Sequence, residues 1–155
     1  MKAATRRRAM SPARRERDER GSAAIEAVFG VPAFGLFVGL IIFGGRTAST
    51  DEALQSAAAE GARSASIARD AQVARIQARE AAVASIANQE IGCEGVEVSV
   101  DTSDFGKPPG APGSVEVTVS CRLALSDLSV PGVPGSRVMR ASMSSPIDTW
   151  RETAP

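Results

Sequence analysis

Nineteen consecutive residues without a charge, Ala27–Gly45 (AVFGVPAFGLFVGLIIFGG), constrain this chain more than any other stretch. As an α-helix rising about 1.5 Å per residue they reach roughly 29 Å, the thickness of a bilayer's hydrocarbon core. A lone carboxylate, Glu26, stands at the mouth of the run, five residues after Gly21. An ionised group there is costly to bury and points to a role rather than to chance. The residues up to Gly21 then read as a removable leader, and the chain beyond Gly45 as a domain held outside the membrane.

Charge supplies the orientation. Residues 1–20 hold eight Lys or Arg against three Asp or Glu, although the 155-residue chain as a whole has a formal net charge of zero. Past the apolar run, Arg46 and Arg63 are offset by Asp51, Glu52 and Glu60. Because orientation follows Lys and Arg, the N-terminus is expected in the cytoplasm and the C-terminal part outside it. The basic tract has no apolar periodicity, so it is expected to be disordered. The acidic remainder carries no electrostatic footprint for nucleic acid.

Three readings of the apolar run compete. A secretory signal peptide is disfavoured, because the run is long and only the weak Thr47-Ala48-Ser49-Thr50 resembles a cleavage site. An uncleaved single-pass anchor is the plain alternative. The third is a prepilin-type segment, cut on the cytoplasmic side before its helix. Pro32 removes an amide donor and would kink the helix or loosen one turn. Gly35 and Gly39 form a small-xxx-small pair through which another helix can approach.

Beyond Arg46 the pattern stays helical. Residues 47–91 are rich in Ala, Gln, Glu and Arg, all strong helix formers, and are expected to form an exterior helix that stops at Ile91-Gly92. Val73, Ile76, Val83 and Ile86 mark an apolar face, with Gly61 and the Ser64/Ser66 pair as points where the helix bends. So thin a stripe needs a partner, either its own sheet or a neighbouring subunit. Val96, Val98 and Val100 alternate as a half-buried strand. Val115 to Leu125 keeps strict period two, the best strand in the chain. Residues 137–144 form a third, edge strand. SDFGKPPGAPG and VPGVPGS are loops, and residues 146–155 an irregular tail with Trp150 packed back on the sheet. The fold class is therefore α+β: a long N-terminal helix, membrane-spanning over 22–46, packed on a small antiparallel sheet of about three strands over 92–145.

The inventory argues against catalysis. The chain has no His, and its two Cys, Cys93 and Cys121, both follow the apolar run. An even count there suits a disulfide in an oxidising compartment. A thiol nucleophile has no imidazole partner, and neither a Ser-His-Asp set nor a phosphate loop is present. Asp101, Asp104 and Gly106 hint at a calcium loop, but their spacing departs from the EF-hand pattern and solvated acids are the plainer reading. No cofactor, metal or small-molecule substrate is expected.

Arg20-Gly21-Ser22-Ala23-Ala24-Ile25-Glu26 followed by an apolar helix resembles the type IV prepilin motif. More narrowly, Glu19 to Ala27 with Pro32 soon after resembles the TadE-like pseudopilins of tight-adherence (Flp, type IVb) pilus systems. Ala59-Glu60-Gly61-Ala62-Arg63-Ser64-Ala65 and a valine-alternating C-terminal half with paired cysteines fit the same family. The resemblance is strongest over residues 19–68. It implies cleavage between Gly21 and Ser22 by a prepilin peptidase, leaving a mature chain whose fifth residue is Glu26. The implied partners are that peptidase, other pilins or pseudopilins, pilus-assembly membrane proteins and the bilayer. The expected function is that of a minor pseudopilin in pilus or secretion-apparatus assembly. The alternatives are an uncleaved single-pass protein whose exterior domain binds a ligand or cell-wall component, and a secreted protein released by signal peptidase.

Overall fold

The computed structural model describes residues 12–126, 132 and 135–149, with side chains from Ile25 onward. The start of the leader, most of the VPGVPGS loop and Trp150 lie outside these residues. Two compact units divide the chain, residues 1–40 and 41–155. The elements in order are helix α1 (Pro12–Ser66), helix α2 (Ala71–Asn88), and strands β1 (Cys93–Asp101), β2 (Ser114–Ala124) and β3 (Ser136–Pro146). A short 3-10 turn, Ser103–Gly106, follows β1. The α+β class with its long N-terminal helix and three-stranded antiparallel sheet is as expected.

Residues 12–20, expected to be disordered, belong to α1. Pro12 tolerates the first turn, where its missing amide has no partner to lose, and the Arg, Glu and Ala that follow favour the helix. The helical stretch expected over 47–91 is two helices, separated at Ile67–Asp70. Ser66 Oγ donates back to the Arg63 carbonyl at 2.8 Å and closes α1. Asp70 then caps α2, its carboxylate accepting from the amides of Gln72 and Val73, both at 2.8 Å. A carboxylate that satisfies two orphan donors starts a new helix more readily than it continues an old one. At the far end Glu90 takes φ of 50°, the left-handed conformation that ends α2 before Ile91.

The second unit is a helical layer on one face of the sheet. Strand order is β1-β2-β3, with both pairs antiparallel. The central strand supplies the core: Val115, Val117, Val119, Cys121 and Leu123 are buried, while Glu116 and Arg122 face solvent. From α1 the buried side is Thr50, Ala53, Leu54, Ala57, Ala58, Ala62 and Ala65. From α2 it is Ala74, Ala78, Ala82 and Ile86. Of the face expected from periodicity, only Ile86 is buried; Val73, Ile76 and Val83 remain exposed on another flank. The reason is distance, since alanine lets a helix approach its neighbours where valine would hold it away.

Gly61 sits at the closest approach. A methyl group there would lie 3.0 Å from the Ala78 carbonyl oxygen, 3.1 Å from Val117 Cγ1 and 3.4 Å from Ala82 Cβ. Thus α1, α2 and β2 meet on one hydrogen atom's worth of space.

Cys93 and Cys121 are bridged, with Cα atoms 5.6 Å apart. Strand parity alone would place Cys93 opposite in face to Val96 and to its partner cysteine. A β-bulge resolves the conflict: Cys93 pairs with Leu123 and Val96 with Cys121, so Glu94 and Gly95 together oppose Arg122. Gly95 takes φ of 86°, a conformation that costs glycine little. The extra residue rotates Cys93 onto the core face, diagonal to Cys121.

Gly61→Val should destabilise the full chain by about 1–3 kcal/mol, because the nearest obstacle is backbone and cannot swing aside. Replacing both cysteines by serine should cost about 3–4 kcal/mol, the loop-closure value for a bridge spanning roughly 28 residues. Denaturant unfolding of the detergent-solubilised chain measures both; an unchanged midpoint for Gly61→Val would mean the three-element junction is loose.

Candidate functional site

The candidate site is the helical segment from Gly21 to Gly45, where α1 continues unbroken through Pro32. Its large apolar side chains are exposed on every side: Phe29 is 72% exposed, Val31 70%, Phe34 68% and Phe37 60%. With Ile25 at 63% and Val28 at 67%, these positions, stepping about 100° per residue, are spread around the whole helix, so no single stripe is available to bury against a core. A helix apolar all round calls for an apolar solvent. Residues 25–66 contain a window long and apolar enough to cross a membrane, none of it buried within the chain.

Along this segment the sequence-identified residues fall in order. Gly21 and Ser22 lie within α1. Glu26 is exposed, about one turn beyond Ser22, so a carboxylate and a new amino terminus at Ser22 would be neighbours on one helix. A methyl group at Gly35 would meet nothing within 4 Å. Gly39 lies one turn further on, which leaves a shallow notch on that side of the helix. At the C-terminal end of the apolar run hydroxyls turn back onto the helix backbone. Thr47 Oγ1 donates to the Gly44 and Phe43 carbonyls at 2.9 and 3.1 Å, and Thr50 Oγ1 to the Arg46 carbonyl at 2.8 Å. Such back-bonding satisfies the polar groups where the apolar run gives way to the buried small-residue face that begins at Thr50.

The acidic loop has a structural use. The Ser103 amide donates to Asp101 Oδ1 at 2.9 Å. Asp104 accepts the Ser114 amide on Oδ2 at 2.9 Å and pairs through Oδ1 with Lys107 Nζ at 2.9 Å. Lys107 Nζ also donates to the Pro112 carbonyl at 3.2 Å. These contacts tie the residues after β1 to the start of β2. Among the described residues no group of three His, Cys, Asp or Glu converges as a metal cage would require.

Both carboxyls are held below the usual range, Asp104 chiefly by the Lys107 hydrogen bond and then by the Ser114 amide, Asp101 by the Ser103 amide. A carboxylate whose folded pKa is depressed supports the structure fully above its unfolded value, about 3.9, and loses that contribution as pH falls through the folded value. The Ser114 amide resonance should therefore titrate with a midpoint below about pH 3.9, and Asp104→Ala should abolish the transition. A midpoint at or above the ordinary value would refute the assignment.

The spacing of Gly21, Glu26, Gly35 and Gly39 is legible in the sequence; the close packing at Gly61, expected only as a bend, and the positive φ of Gly95 are not. Gly61 was legible as a helix weak point, and its packing role needed the partners to be known. Among known proteins, the family model described as TadE-like protein matches residues 21–63. No curated protein and no solved structure matches the chain. The match begins at the glycine before Ser22, takes in Glu26, Pro32, Gly35 and Gly39, and reaches past Gly61. It supports a part in tight-adherence pilus function, in a family that is structural rather than enzymatic. Over residues 21–63, then, the chain is similar to TadE-like proteins of the tight-adherence pilus system, in keeping with the resemblance of its glycine, glutamate and apolar helix.

Proposed function

We propose that this chain is a minor pseudopilin, made with a basic leader, anchored by residues 22–46 and processed between Gly21 and Ser22. The observation that carries the reading is the family match starting at Gly21, directly before an apolar helix exposed on all sides. Cleavage frees a positively charged amine at the cytoplasmic mouth of the membrane. Left alone in a low-dielectric bundle, that charge would cost several kcal/mol, by order of magnitude. Glu26, the fifth residue of the processed chain, neutralises it, in the same helix or in a neighbouring subunit. Gly35 and Gly39 offer a surface for helix association, and Pro32 loosens one turn beside it. The basic leader keeps the N-terminus cytoplasmic and the sheet domain outside. Prepilin peptidase, other pilins and the assembly membrane proteins are the partners of this reading.

Intact mass of the membrane-extracted protein, with and without a co-expressed prepilin peptidase, tests it. The expected result is loss of residues 1–21 only with the peptidase. An unchanged mass alongside a competent enzyme would leave an uncleaved single-pass anchor. Glu26→Ala should still be cleaved, yet its recovery with partner pilins should drop at least about tenfold, as expected for leaving a buried charge unpaired.

A further inference from the structure

The two edges of the sheet are complementary to each other. Reading across it, one core-face row runs Val100, Val117, Met143; the next Val98, Val119, Ala141; the third Val96, Cys121, Met139. In each row the β2 member is buried. Met139 and Met143 at one edge, and Val96, Val98 and Val100 at the other, are only half-buried. Above the β1 edge the helix adds mixed surface: an open groove sets Ile76, with Arg75 and Arg79, beside Val98 and Val100, and a second sets Val83 and Arg79 beside Val96 and Glu97. Ile76 and Val83 are 49% and 44% exposed. The helical layer therefore overhangs the position a fourth strand would take.

Charge says which strand fits there. β1 carries Glu94, Glu97 and Asp101 and no basic residue; β3 carries Arg137 and Arg140 and no acidic one. On the face away from the helices Glu97, Ser120 and Arg140 share one row, with exposed acid and base at opposite edges of a buried serine. Within one copy the width of β2 separates them by about 10 Å. A second copy displaced sideways by three strand spacings, about 14 Å, sets its Glu97 beside Arg140 at a single strand spacing. The same displacement lays Met143 against Val100, Ala141 against Val98 and Met139 against Val96. Pairing like edges would instead oppose acid to acid or base to base, which is unfavourable.

We propose that β3 of one copy pairs with β1 of the next, joining copies edge to edge and head to tail into a continuous sheet. The contact is heterologous, so it repeats as an open row rather than closing as a two-fold dimer. At the β1 edge the Val98 carbonyl is met by Arg79 Nη2 at 3.3 Å, an exposed side chain that an incoming strand can displace. This inference rests on the sheet edges and is independent of leader cleavage.

Ser99 and Ser142, both exposed, share a row through Thr118 and give the test. Two full-length variants, Ser99→Cys and Ser142→Cys, one enlarged by a tag, are mixed in detergent micelles and mildly oxidised. Neighbouring strands lie within disulfide reach, whereas the two positions of one copy do not. The expected product is the mixed dimer, with neither variant cross-linking to itself. Adding Glu97→Arg to the Ser99→Cys chain should lower the yield about fivefold, and Arg140→Glu in its partner should restore it. Absence of the mixed dimer, self-dimers in equal yield, or a yield indifferent to both charge reversals would each overturn the proposal.

Discussion

Everything in the unit of residues 41–155 depends on how closely two alanine-faced helices approach one valine-faced strand. A layer of alanine contributes little transfer free energy per residue, so the core gains from proximity rather than from bulk. Its larger side chains come mainly from β2, with Leu54 and Ile86 from the helices. Such a core is thin, and a three-stranded sheet is marginal without cover. The Cys93–Cys121 bridge compensates by restricting the unfolded chain, and it lies where β1 begins, next to the bulge. Packing at Gly61 and cross-linking at Cys121 thus support the same central strand from its helix-facing side.

The same helix, α1, is written in two chemistries. From Ile25 to Ile42 its large side chains are exposed on all sides; from Thr50 to Ser66 its inward positions are buried and, Leu54 apart, small. The change falls within about two turns, and Thr47 and Thr50 mark it by folding their hydroxyls onto the backbone. One continuous secondary structure can serve both surroundings because helix hydrogen bonding is internal and indifferent to solvent. The first part has the surface of a helix that could span a membrane, the second that of a helix packed on protein.

How much of this was legible depends on whether a signal belonged to one element or to a pair. β2 announced itself, since alternation is a property of the strand alone. So did the apolar span, the glycine–glutamate spacing and the half-buried β1. The buried face of α2 did not, because a hydrophobicity pattern weights Val73, Ile76 and Val83 above Ala74, Ala78 and Ala82. Which stripe faces inward is decided by what it must fit against. Asp70 carried a readable capping signal that a count of helix formers obscured, for the neighbouring Ala and Arg favour a helix on either side of it.

The bulge is the clearest case of information held between elements. Cys93 is out of phase with Val96, Val98 and Val100, and Cys121 is in phase with the core of β2. If both cysteines are to meet, one strand must gain a residue, and the one glycine between Cys93 and Val96, able to take a positive φ cheaply, is Gly95. Parity, cysteine pairing and a single glycine together imply the bulge, though each by itself is uninformative. The complementarity of the two sheet edges is the same kind of information, one level higher. Neither edge is unusual alone, since charged residues commonly protect exposed strands. Only the register across all three strands shows that acid and base, and valine and methionine, stand at opposite ends of shared rows.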